Sequence, residues 1–133
     1  MHIQWLAVFA AALTGFVTGG LWYAVFGKAW MNALGWDEET AKAQNRRTVL
    51  FVVAIGANII MALMLFGLLT HMGGNGLRAA LIASVLIWFG FVLPTTAANY
   101  ACQNRPVKLI LIDAFHWLVV LLVQGTVLGL MMA

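Results

Sequence analysis

"TVLFVVAIGANIIMALMLFGLLT", Thr48 to Thr70, contains no charged side chain and a single amide, Asn58. A helix needs about 20 apolar residues to cross about 30 Å of hydrocarbon, and this stretch is long enough. Without water its backbone groups must be satisfied inside the segment, so it is a transmembrane helix. Its flanks agree. Arg46 and Arg47 stand just before it, and "HMGGNGL", 71–77, follows as a glycine-rich turn.

The pattern repeats outward in both directions. Met1 to Gly27 and Ala79 to Asn104 carry no charge, and Leu109 to Ala133 carries only Asp113. The other charges fall in blocks: Lys28 to Arg47, Arg78 alone, and Arg105 with Lys108. Hydrophobic residues make up 64% of the chain and charged residues 8%, against roughly 45–50% and roughly 25% in soluble domains. A water-soluble fold of 133 residues has too little polar surface to cover that apolar content, so lipid is the solvent. The expected fold is an all-α membrane protein, one domain over 1–133, with helices at about 3–26, 48–70, 79–102 and 108–132. The first stretch lacks a positive leader and has too long an apolar run for a cleavable signal, so it reads as a retained helix.

The links between helices 2 and 3 and between helices 3 and 4 ("QNRPVK", 103–108) are short, which predicts two antiparallel hairpins. Pro106 suits the first turn of helix 4. Lys28, Lys42, Arg46, Arg47, Arg105 and Lys108 all lie in loops 1 and 3. The positive-inside rule therefore predicts a multi-pass protein of the plasma (inner) membrane, with loops 1 and 3 cytoplasmic and both termini outside. Loop 1 predicts a short amphipathic, juxtamembrane helical segment between helices 1 and 2. Trp30 and Leu34 are spaced for a helix lying in the interface. Gly35 ends it, and Asp37 caps a further turn carrying Glu38 and Glu39, expected to run on into helix 2.

"LWYAVFGKAWMNALGWDEETAK", 21–42, has an aromatic helix end, an F-G-K-x-W turn and then Gly, one variable position and an acidic pair. With Asn99, Tyr100 and the polar start of helix 4, it resembles the family of small bacterial membrane proteins known as domain of unknown function 1761. The resemblance covers nearly the whole chain and implies four helices. It implies no activity.

Function turns on polar groups inside the apolar segments. Asp113 lies five residues beyond Lys108, about 7–8 Å along the helix, just inside the hydrocarbon. An ionised carboxylate at a helix centre costs roughly 2.5–3.5 kcal/mol, and less near an edge. Asp113 therefore needs a partner, water or a proton. His116, at i+3, Asn99, Tyr100 and Tyr23, at the same depth, and Lys108 or Arg105 folding back toward it are the candidates. One reading is a structural polar cluster locking helix 4 to helices 1 and 3. The other is a proton or ligand site open to the cytoplasm. Ser84, Thr95, Cys102 and Asn99 form a polar seam on helix 3, and Gln124 shares a face with Asp113. Pro94 predicts a kink near Gly90. Gly15 with Gly19, and Gly125 with Gly129, are GxxxG pairs suited to close packing within the bundle first and between subunits second.

Three function classes follow. The first is a small transporter or channel-like protein acting as a homo-oligomer, with Asp113 as its site. The alternative is a non-catalytic scaffold, partner subunit or small-ligand sensor, with loop 1 as its contact surface. An enzyme ranks last, because no nucleophile, base and orienting group assemble in the sequence. His2 and His71, expected at the outer face, have no third ligand at a convincing spacing. No metal, cofactor or nucleic-acid partner is expected.

Overall fold

The computed structural model describes residues 3–44, 46–74 and 76–132; His2 lies outside them. All elements among them are helical: α1 (Trp5–Leu34), α2 (Glu38–Ala43), α3 (Arg47–His71), α4 (Leu77–Ile87), a π-helical turn at Trp88–Val92, α5 (Leu93–Cys102) and α6 (Val107–Met131). Helices α4 and α5, joined by the π turn, make one span. The four spans have 30, 25, 26 and 25 residues, or about 38–45 Å each at 1.5 Å per residue. Val49, Leu50, Phe51, Val52 and Val53 follow one another on α3 and are each 50–65% exposed. Such a run suits a hydrocarbon surrounding. The chain is a multi-pass membrane protein.

The first helix continues past 26, the end expected from the sequence, to Leu34. The proposed interfacial helix is its last two turns. Gly27 is a weak interruption, and Ala29, Met31, Ala33 and Leu34 beyond it all favour helix. Gly35 stops it with φ 75°. Its N–H donates to Asn32 O at 3.1 Å and that of Trp36 to Met31 O at 2.9 Å, the pairing of a Schellman end. Asp37 does cap the next helix, accepting from the Thr40 N–H at 2.7 Å. That helix does not run on into α3. Gln44 and Arg46 both leave helical geometry between them.

Helix α6 is the centre of the bundle. It packs along α1 on one side and along α4 and α5 on the other, and α1 also packs along α3. Eleven residues of α6 are buried and none of α5. Helices α3 and α4 diverge beyond their connecting turn. An apolar crevice of about 900 Å³ opens between them, bordered by Met61, Leu65, Ile87, Val92 and Leu121.

Close packing rests on small residues. Ala7, Ala11 and Gly15 form the buried stripe of α1 at four-residue spacing. A Cβ on Gly15 would lie 2.5 Å from Asn58 Oδ1 and 2.7 Å from Gln124 Nε2, and one on Gly19 would lie 2.7 Å from His116 Nε2. Gly125 faces Ser84 and Ala80, and Gly129 faces Leu77 and Gly76. Both GxxxG pairs therefore serve packing inside the bundle: α1 against side chains of α3 and α6, and α6 against the start of α4.

Candidate functional site

Asp113 is 7% exposed on the α1 side of α6. Tyr23 of α1 donates its hydroxyl to Oδ1 at 2.6 Å, and Tyr100 of α5 donates to Oδ2 at 2.5 Å. Both distances fall in the range of O–H···O hydrogen bonds. Helices α1 and α5 do not pack along each other; at this end they meet through the one carboxylate. Among the described residues no Lys, Arg or His pairs with it. Both donors are uncharged phenols. A carboxylate has about four lone-pair positions, so two remain for another partner.

His116 lies beside this clamp but outside its hydrogen bonding. Its ring is 4.8 Å from that of Tyr23 and 4.5 Å from that of Trp117. Its Nδ1 is buried with no hydrogen-bond partner among the described residues. The expected Asp113–His116 couple is therefore proximity rather than a bond. Asn99, also expected here, is exposed and makes no side-chain bond to Asp113.

The polar seam of helix 3 is only partly assembled. Ser84 is fully buried, donating to Ala80 O at 2.8 Å and shared with Leu121 O at 3.0 Å. Thr95 is exposed and bonds back to the Phe91 carbonyl of its own helix, and Cys102 is exposed. The π turn is the cause. Bonding from i to i+5, as Leu93 N–H does to Trp88 O, inserts one extra residue into the turn. Positions beyond it rotate by about 100°, one residue of helix. Tyr100 swings toward α6 while Thr95 and Cys102 swing away. Pro94, read from sequence as a kink, sits at the start of α5 immediately after this turn.

Two further polar contacts escaped the sequence as pairs. Gln124 donates to Asn58 Oδ1 at 3.0 Å, reaching past α1 where Gly15 leaves room. Its Oε1 is buried with no hydrogen-bond partner among the described residues. The Trp88 indole in the π turn donates to Ala114 O at 2.6 Å, beside Asp113. An indole in an apolar run gives no hint of its acceptor; the π turn aims it.

A chain of aromatic rings leads from loop 1 to the clamp. Trp36 and Trp30 are 5.5 Å apart, edge to face, Trp30 and Tyr23 are 6.1 Å apart, and Tyr23 then meets His116. The exposed Asp37, Glu38 and Glu39 follow Trp36 in the chain. Hydrogen bonds from Thr40, its hydroxyl first and its backbone N–H second, hold the Asp37 carboxyl below the usual carboxylate range. The large crevice between α3 and α4 is a different place. Its walls are hydrocarbon, and His71 at its border is engaged with Gly67 O at 2.8 Å.

No curated protein and no solved structure matches the chain. A family model described as "Protein of unknown function (DUF1761)" matches residues 6–129. With nearly the whole chain covered, the protein belongs to the DUF1761 family.

Proposed function

We propose that the protein is a small transporter-like or channel-like membrane protein that binds a cation or proton at Asp113. The site is reached from the side of loops 1 and 3, read as the cytoplasmic side of the plasma (inner) membrane. One observation carries the reading: a buried carboxylate on the central helix held by two phenols and, among the described residues, by no cationic side chain. Phenol donors stabilise the charge without cancelling it. Negative charge near hydrocarbon is costly, so a bound proton or cation relieves the site. Helix α5 supplies one donor, buries no residue and joins α4 through a π turn, which favours its movement. A single bundle is filled at its centre by α6, so passage across the membrane calls for a homo-oligomer. No catalytic step is assigned to the chain.

Proton flux into vesicles reconstituted with the wild type or Asp113→Asn tests this. The expected result is loss of flux in the variant. Equal fluxes would overturn it.

A second reading has its own support. Both carboxylate oxygens are already bonded and Asp113 is nearly buried, as suits a fixed clamp in a non-catalytic scaffold, partner subunit or small-ligand sensor. The exposed Glu38 and Glu39 of α2 are then the contact surface. Reversing both charges would abolish partner association, whereas Asp113→Asn would leave it intact.

A further inference from the structure

We propose that the cation taken at Asp113 is a lipophilic organic one, an amine or quaternary ammonium with an apolar body; this rests on the reading of Asp113 as an exchange site.

Three features select that class over a small metal ion. The first is the donor set. Phenol hydroxyls turned toward the carboxylate as donors do not offer the ring of oxygen ligands that a hard metal ion requires. The carboxylate's two remaining lone-pair positions suit one ammonium group, or the electrostatic contact of a quaternary one.

The second is the aromatic surface beside the carboxylate. Trp36, Trp30, Tyr23 and His116 succeed one another at 5.5, 6.1 and 4.8 Å between ring centroids. Aromatic faces attract organic cations through the ring quadrupole, and the same faces accommodate an apolar body. A hydrated metal ion gains little from them.

The third is charge. Asp37, Glu38 and Glu39 follow Trp36 in the chain and are exposed, and Asp113 lies at the inner end of the series. Among the described residues no cationic side chain pairs with the carboxylate, although Lys28, Lys42, Arg46, Arg47, Arg105 and Lys108 lie on the same side as the outer end. The buried, unpartnered His116 Nδ1 beside Tyr23 supplies one further polar atom.

Entry requires Tyr100 or Tyr23 to turn from the carboxylate. Helix α5 suits the first of these, being unburied and bonded to Asp113 through Tyr100.

Tetraphenylphosphonium, titrated into the purified full chain in detergent and followed by calorimetry and tryptophan fluorescence, is the test. Saturable binding is expected, weakened at least about tenfold by Asp113→Asn (a loss of about 1.4 kcal/mol) and several-fold by Trp30→Leu. Trp30→Leu leaves the carboxylate clamp in place and covers the case in which Asp113→Asn does not fold. Undiminished binding in both variants, or no saturable binding in the wild type, would overturn the proposal. Proton flux that depends on Asp113 without tetraphenylphosphonium binding would remove the organic cation and leave the exchange site standing. Loss of both would remove the site as well.

Discussion

At the scale of single residues, each clamp tyrosine does one job that phenylalanine cannot. A hydrogen bond to a charged group contributes about 1.5–3 kcal/mol, against about 0.6 kcal/mol for an ordinary interhelical bond in a membrane. Tyr23→Phe and Tyr100→Phe should each destabilise the bundle in that upper range in a reversible micelle-denaturation assay. Ser84→Ala, which loses a neutral bond, should cost less than either. The double tyrosine variant should depart from the sum of the two single costs, because both donors act on one carboxylate. Glycines separate in the same way. A Cβ at Gly129 would lie 2.8 Å from Leu77 Cα and 3.2 Å from Gly76 O, both backbone atoms that have no rotamer to change. Gly129→Ala should therefore lose about 1–3 kcal/mol. Gly20 meets nothing within 4 Å, so Gly20→Ala should gain up to about 1 kcal/mol of helix propensity. Equal stabilities for the two alanine variants would show that α6 does not sit against α4 as described.

At the scale of elements, α2 gives a prediction in pH. The Asp37 carboxyl is held below its ordinary range by Thr40. Its capping contribution is thus fully present above the unfolded pKa and is lost as pH falls through the lower, folded one. Amide exchange at Thr40 should accelerate as pH is lowered through that range, relative to Asp37→Asn, whose cap does not titrate. How far each element was legible follows from what fixes it. The spans are set by hydropathy, which is local, so all four were readable. The end of α1 was misplaced because aromatic residues and Gly27 resemble a boundary, whereas the stop is the left-handed Gly35. The π turn was unreadable. It is a choice between two bonding patterns decided by packing, and the Trp88 indole bonded to Ala114 O is part of that packing. That choice displaced Thr95 and Cys102 from the expected seam. At the clamp, Tyr23, Tyr100 and Asp113 share a depth that residue counting supplied. Asn99 and Tyr100 are neighbours about 100° apart on one helix. Depth alone did not tell which of them bonds α6, and the structure gives that bond to Tyr100.

At the scale of the whole molecule, α6 is a central post with α1 and the α4–α5 span on either side, and its one carboxylate ties them together at the end of loops 1 and 3. The mechanical half of this arrangement is the packing and the clamp. The functional half is whether the charge on Asp113 changes in a bilayer. Infrared difference spectra of the chain in lipid, taken across a pH titration with Asp113→Asn as the reference, measure that change directly. An exchange site gives a protonated-carboxyl stretch that appears and disappears reversibly in the wild type and is missing from the variant. Identical spectra for the two proteins across the titration would mean that Asp113 never changes its proton, which contradicts an exchange site and leaves a fixed clamp.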